Sequence, residues 1–572
     1  MQVAADLNRS DYRNLVILLG IVLLVRFWGI TYGLPSVYNS TEYFIAKHAL
    51  SFGARKTLEP LFFVYPTFFS YLIATVFAAY FIIGKIVGIF PTAADFAFQF
   101  LADPSSFYLI GRTVSAAALI LACLIFYRTC RFFGSPLYSL VVALLMVFSF
   151  NLHFFGFWMT PDALLILGTT LTLYVFVRAY FRGLTLRGLL LGSIICGLTI
   201  STKYNAGFLA MGWLAAVGML PGSTFKVRIR NMGLAGLLIL LGFLIGTPYW
   251  LFKFSRFWEG FRTIWSQSLY AYNVETGVPY LWEIQKLITS EWLLGIMLLV
   301  LMLTLFLRMT RFTLPVAAII LPTFLLVGSW EKKGLDYLLV IFPPLFILLA
   351  YRIYQMGEVL RKFKWGLGVL FLALALNIPR VLYQNYLHTC RDTRAEAGRW
   401  VMENVSPGSP ICYDHYHYDI DLIDVNRYLE YGAGSRFLSP AVREKVEKLQ
   451  RAPNNYPLIS SQKNLDSPSV PPQLARQMKD DPFLWEKLTH PHKTLKELLA
   501  EGIQVLIVNS ESYEKYLENP PPSPSNPLRS DFLTRRNFYE HLFSAFNPVV
   551  VFQPGWSRPG PVIQIFDFRK ER

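Results

Sequence analysis

The chain has 572 residues, 54% of them hydrophobic and 16% aromatic, and its mean hydropathy is +0.40. That much apolar mass excludes an ordinary soluble domain, and apolar runs of about twenty residues recur through the first two thirds, the mark of a polytopic membrane protein. The formal charge of +16 would suit a nucleic-acid binder, but much of the Lys and Arg lies in short loops between apolar runs. Membrane orientation accounts for it there, and no nucleic-acid partner is expected.

The first apolar run, 14–32, lacks a convincing small-residue cleavage site and reads as a retained first transmembrane helix. A polar stretch, 33–66, follows. It is too long for a plain turn, and its pattern of Tyr43, Phe44, Ala46, Leu50 and Phe52 predicts short helices on the membrane surface. Further spans are predicted at 107–127, 135–152, 162–181, 187–202, 205–220, 231–248, 291–307, 312–329, 337–351 and 365–381. The run 61–90 is also apolar. With it the count is about 11–13 spans in a mainly α bundle.

Orientation follows from the basic loops at 128–131, 178–187, 226–230, 308–311 and 352–364. Successive loops are two spans apart, so all five can be cytoplasmic together with the N-terminus. Parity then requires that 61–90 turns back or lies flat, or that 61–103 crosses twice. The gaps 153–161, 203–204, 249–290 and 330–336, and everything after 382, fall outside the cytoplasm of a cell (inner or plasma) membrane. The transmembrane domain is therefore expected to occupy 1–382, and a soluble extracytoplasmic α/β domain 383–572. In that second part 392–404 reads as a helix, and 410–413, 505–508, 549–552 and 562–566 read as strands. Cys123, Cys130 and Cys196 read as core thiols; Cys390 and Cys412 could pair in an oxidising space. Asp414-His415-Tyr416-His417 has H-x-H spacing but no third ligand, and reads as a polar strand edge.

Ionisable residues recur at the outward ends of spans: Glu42 in the first loop, Asp162 after Thr160-Pro161, Lys203 with Tyr204, and Lys332, Lys333, Asp336 and Tyr337. Charges beside hydrocarbon are costly, so a set sharing one face points to a site. Lysines there can stabilise the anionic leaving group of a lipid-phosphate-linked sugar. A carboxylate can take the proton of an acceptor hydroxyl. The aromatic, basic stretch 250–258 reads as an interfacial anchor.

Several stretches carry a resemblance: Tyr38-Asn39-Ser40-Thr41-Glu42 with Tyr65-Pro66, Gly111-Arg112, Thr160-Pro161-Asp162-Ala163, Ser201-Thr202-Lys203-Tyr204-Asn205, Thr247-Pro248-Tyr249, and Asp336-Tyr337 before Pro343-Pro344. In their order and spacing the chain resembles the GT-C membrane glycosyltransferases. It is close to the protein O-mannosyltransferase and lipid A aminoarabinose transferase group (glycosyltransferase family 39-like). The resemblance implies a polyprenyl-phosphate sugar donor, an acceptor that is a protein, lipid or glycan, inversion at the anomeric carbon, and an outward active site under the first loop. On it, Glu42 is the candidate base and Asp162 its acidic partner. Lys203, Tyr204, Lys332, Lys333 and Tyr337 are candidates for the donor phosphate, with Asn39, Tyr65, Arg112 and Tyr249 as further site residues. Thr41 departs from the pattern, because the family usually places there the Asp that acts as base. The resemblance fixes no cofactor, and two carboxylates could hold a divalent metal. The competing readings are a non-catalytic binder of lipid-linked sugar, suggested by Thr41, and a multispan transporter. A transporter would more often place its charges near the midplane.

Overall fold

The computed structural model describes residues 8–220, 224–271, 277–307, 309–355, 365–414, 420, 422–425, 440–465 and 481–570. His415, Tyr416 and His417, the whole H-x-H, lie outside the described residues. The first part of the chain is helical. It runs α1 (Arg9–Phe27), α2 (Ser40–Arg55), α3 (Phe68–Ile86), α4 (Ala93–Ala102), α5 (Ser105–Cys130), α6 (Pro136–Val147), α7 (Phe150–Gly156), α8 (Asp162–Arg182) and α9 (Leu186–Ile200). It continues through α10 (Gly207–Met219), α11 (Phe225–Gly246), α12 (Tyr249–Phe252), α13 (Phe254–Tyr270), α14 (Leu281–Glu291), α15 (Leu293–Leu307), α16 (Thr313–Gly328) and α17 (Phe342–Gln355). A further apolar helix, Trp365–Leu387, leads into the C-terminal part.

Among the described residues five helical runs are long and apolar enough to cross a membrane alone, and six if the bent α6–α7 pair is one span. The larger count expected from sequence includes α9, α15 and α16, which are apolar but only 15 or 16 residues long. At 1.5 Å per residue each is shorter than a hydrocarbon core of about 30 Å. These helices rely on packing. Gly197 and Gly242 bring α9 against α11 so closely that a Cβ on Gly197 would stand 2.1 Å from the Ile239 carbonyl oxygen.

Contacts fix which helix ends share a face. Asp11 at the start of α1 accepts from Tyr127 at 2.8 Å and pairs with Arg131 at 2.5 Å, so the start of α1 meets the end of α5. The starts of α5 and α8 and the ends of α1 and α9 lie on the opposite face. Although α3 passes the length and hydropathy test, it stays on that second face. Its first residue, Phe68, donates to the Ser201 carbonyl after α9 at 3.1 Å, and Thr67 donates to Gly246 at the end of α11 at 2.8 Å. At its other end α4 follows, touching the C-terminal helix Pro440–Gln450 and setting the Phe96 ring against that of Phe107 of α5, centroids 4.9 Å apart. The apolar run 61–90 therefore belongs to the first loop, as parity demanded. Of the two ways to satisfy parity, a double crossing of 61–103 is excluded, since α4 has only 10 residues.

The C-terminal part holds one mixed sheet of five strands: β1 (Ile411–Asp414), β2 (Leu458–Ile459), β3 (Val505–Asn509), β4 (Val550–Phe552) and β5 (Ile563–Asp567), in the order β2-β1-β3-β5-β4. β1 runs parallel to β2 and β3, and β5 antiparallel to β3 and β4. Val505, Ile507 and Ile565 point into one apolar layer and Leu506, Val508 and Phe566 into the other, which is why these strands read as unbroken apolar runs. β2, two residues long beside Pro457, has no such run and escapes sequence reading. The helix expected at 392–404 is present as Thr393–Asn404, with Asp392 as its N-cap. Cys390 and Cys412 do not pair, and both are free thiols. Cys412 is buried in β1, where its side chain belongs to the Leu506 and Phe566 layer.

Candidate active site

Two polar nodes sit on the second face, joined by the turn before α8. The first is a buried ion pair. Arg112, in the second turn of α5, forks onto Glu42 through Nε and Nη2, both at 2.8 Å. Its remaining Nη1 donates to the carbonyls of Ile30 and Tyr32 at 2.9 and 2.7 Å. Glu42 also accepts the Met159 N–H at 2.8 Å, and both side chains are fully buried. Asn39, expected in the site, caps α2 by accepting from the Thr41 N–H at 3.0 Å.

The second node reaches solvent through Asp336. The Lys203 ammonium bridges two carboxylates, Asp162 at 2.8 Å and Asp336 at 3.0 Å. Asp162, the first residue of α8, also accepts from the Thr160 hydroxyl at 3.0 Å. Asp336 is the more exposed acid, with 28% of its side chain accessible against 9% for Asp162. Burial penalises the Lys203 charge, but Asp162 and Asp336 outweigh it and hold the ammonium above its ordinary value. The phenol of Tyr65 lies in the field of all three and within hydrogen-bond reach of Thr41, and burial pushes it up. Lys203 and Lys332 stand at 5.2 and 5.5 Å from the ring centroid of Tyr337. Burial pushes Lys332 down to about 8, against the pull of Asp336. Gly334 permits this crowding, since a Cβ there would meet an Asp336 carboxylate oxygen at 2.5 Å.

Asp162, Lys203, Tyr65, Tyr337 and Lys332 are thus brought together, with Asp336, which the sequence places among the boundary charges, as a full member. Other candidates stand elsewhere. Glu42, expected at the mouth as a base, is sealed behind the Met159–Asp162 turn with its oxygens on Arg112 and Met159. Lys333 points away from Lys332 and forms a buried pair with Glu283 at 3.0 Å. Tyr204 donates to the Phe63 carbonyl at 2.7 Å, holding the strand of chain that carries Tyr65. Tyr249 opens α12 with its ring 6.3 Å from that of Phe252. A polar node missed in the sequence is Glu291, which accepts from Ser149 at 2.6 Å and from the Asn151 N–H at 2.8 Å. It neutralises the N-terminus of α7, and no spacing rule links residues that far apart.

The fold and these nodes define a multi-pass helical membrane protein with a charged site at one membrane face. Residues 108–252 match the model of the dolichyl-phosphate-mannose-protein mannosyltransferase family. That stretch contains Arg112, Asp162, Lys203, Tyr204 and Tyr249, while Glu42 and the Lys332–Tyr337 stretch lie outside it. No curated protein matches the chain. Among solved structures it is similar to ArnT from Cupriavidus metallidurans bound to undecaprenyl phosphate, at 12% identity over 98% of each chain, with a TM-score of 0.49. It is also similar to the S. cerevisiae protein O-mannosyltransferase Pmt1-Pmt2 complex bound to the sugar donor, at 18% identity over 49% of this chain and 40% of that one, TM-score 0.32. A third is the oligosaccharyltransferase AglB from Archaeoglobus fulgidus with an inhibitory peptide and a dolichol-phosphate, at 12% identity over 89% and 71%, TM-score 0.44.

Proposed function

We propose that the protein is a glycosyltransferase that moves a sugar from a polyprenyl-phosphate carrier to an extracytoplasmic acceptor. The observation that carries this reading is the Asp162–Lys203–Asp336 bridge, accessible at Asp336, beside Lys332, whose ammonium stands over the Tyr337 ring. The match of 108–252 to a mannosyltransferase family model supports it. The described residues of the five basic loops lie at helix ends remote from this node, which supports a cytoplasmic N-terminus and an outward site.

Asp336, the exposed acid, takes the proton of the acceptor hydroxyl as its oxygen attacks the anomeric carbon. The bond from that carbon to the phosphate oxygen breaks on the opposite side, so configuration inverts. Charge grows on the leaving phosphate, and Lys332 stabilises it. Lys203 is already shared by two carboxylates and serves to set their positions, with Asp162 holding it. Glu42 and Arg112 are positioning residues that brace the turn presenting Asp162. Binding without turnover is a second reading, favoured by Thr41, whose hydroxyl lies against Tyr65 where the resemblance places an acid.

The test is transfer from polyprenyl-phosphate mannose by purified protein, with single-turnover release of polyprenyl phosphate as the readout. Asp336→Asn is expected to lower the rate by about 10²–10⁴ with the elution profile unchanged. Full activity of that variant overturns the assignment, and no release by the native protein favours the binder.

A further inference from the structure

The C-terminal part meets the membrane domain along α13. Ser266 on α13 donates to Asp481, the N-cap of the helix Pro482–Thr489. Phe483, Leu484, Leu488 and Leu528 seal the seam against Tyr270 and Ala271. A cleft of about 380 Å³ opens beside this seam, lined by Glu259 of α13 and by Leu465, Pro482, Trp485, Glu486 and His490. Clefts that hold small ligands run to about 300–1,000 Å³, so this one has room for an occupant. The same helix leads to the site. The carbonyl of Ser268, nine residues after Glu259, accepts the Lys332 N–H at 3.1 Å. Nine helical residues rise by about 14 Å.

The lining is rich in uncommitted polar groups. Glu259 and Glu486 are exposed, and among the described residues neither carboxylate makes an ion pair or a hydrogen bond. His490 Nδ1 lies 2.9 Å from the Glu486 carbonyl oxygen, so it carries the ring proton and Nε2 is a bare acceptor. The Trp485 indole N–H makes no hydrogen bond among the described residues. Two carboxylates repel an anion. A lysine or arginine side chain brings donors only, which would serve the acids and leave the indole N–H without a partner. A sugar hydroxyl both donates and accepts, so one class of group satisfies the whole lining. The apolar face of a sugar ring also matches the flat surfaces of Trp485 and Pro482.

We propose that this cleft binds a neutral oligosaccharide, the acceptor of the transfer reaction. This rests on the glycosyltransferase reading above and narrows its acceptor to a glycan. The carboxylates of Glu259 and Glu486 and the His490 Nε2 accept from ring hydroxyls, and bonds to the charged acids are the stronger ones. The distance along α13 requires a chain of several sugar units, with its far end in the cleft and its reacting hydroxyl at Asp336.

The experiment is calorimetric titration of the full chain in detergent with four linear tetrasaccharides, of mannose, glucose, galactose and N-acetylglucosamine. Tetralysine is the cationic control. The native protein is expected to bind at least one tetrasaccharide with a Kd of about 1 mM or tighter and not to bind tetralysine. Trp485→Ala and Glu259→Ala should each weaken that binding by about tenfold, and Trp485→Phe should retain it. Because Glu259 is exposed, its variant keeps the fold even if Trp485→Ala does not. No tetrasaccharide bound by the native protein, or equal binding by Glu259→Ala, overturns the inference and leaves the transferase reading to the polyprenyl phosphate release assay. Tetralysine bound in place of the sugars also overturns it and marks the cleft for a basic peptide. Sugar binding by a protein that releases no polyprenyl phosphate would overturn the transferase reading, and the acceptor role with it.

Discussion

The Glu42–Arg112 pair has no exposed atom and no spare partner, so removing one member leaves the other charge uncompensated. Breaking such a pair costs about 3–5 kcal/mol. Glu42→Gln and Arg112→Met are therefore expected to lower the thermal midpoint in detergent, with activity falling because folded protein is lost. An unchanged midpoint with lost turnover would return Glu42 to the role of base. Lys332 makes the opposite kind of prediction. Its folded value, about 8, lies below that of a free lysine, so its charge is present below pH 8 and fades as pH rises through it. The KM for donor should rise above pH 8, and Lys332→Arg should remove that rise because a guanidinium stays charged. Asp162 and Lys203 were legible in the sequence because they end long apolar runs. The fate of Lys332 against Lys333 was not. The two are neighbours in sequence, and only the path of the backbone at Gly334 sends one to the site and the other to Glu283.

At the scale of elements, the position of Lys203 depends on how closely α9 approaches α11. Gly197 faces the Ile239 carbonyl with no room for a side chain, and the helix end it fixes is three residues before the Lys203 loop. Gly197→Val is expected to push the two helices apart and abolish transfer. In the same protein, intrinsic tryptophan emission should shift, because the Trp250 ring lies against Phe243 of α11, centroids 5.9 Å apart. A fully active Gly197→Val protein would show that the loop is held by the ion pairs alone. Most helices were legible from their apolar runs, and β1, β3, β4 and β5 from short β-branched runs. The ten-residue α4 and the two-residue β2 were not, since α4 is apolar at nearly every position and shows no one-sided period, and β2 is too short for any. The seating of Pro482–Thr489 on α13 was equally hidden, because it joins segments more than two hundred residues apart.

For the whole molecule the decisive quantity is sidedness. Cys390 is the one cysteine that is not buried, and it lies just beyond the last apolar helix on the face that carries the site. A membrane-impermeant maleimide added to sealed right-side-out vesicles is expected to label native protein and not Cys390→Ser. Labelling only after the vesicles are opened would invert the orientation. Parity of the basic loops was readable from sequence and demanded an odd number of crossings before α5. Which segment to omit was not readable, because hydropathy measures how apolar a helix is and not where its two ends are held.

That omitted segment, α3, has a mechanical consequence. Ile82, Ile83 and Ile86 are 56%, 60% and 79% exposed, and Val87 and Ile89 beyond the helix are each 62% exposed. A greasy rod whose termini are both tethered to one face displaces acyl chains from a single leaflet, as a wedge does. The molecule therefore occupies more area in one monolayer than in the other, and it is expected to partition toward bilayers curved to relieve that difference.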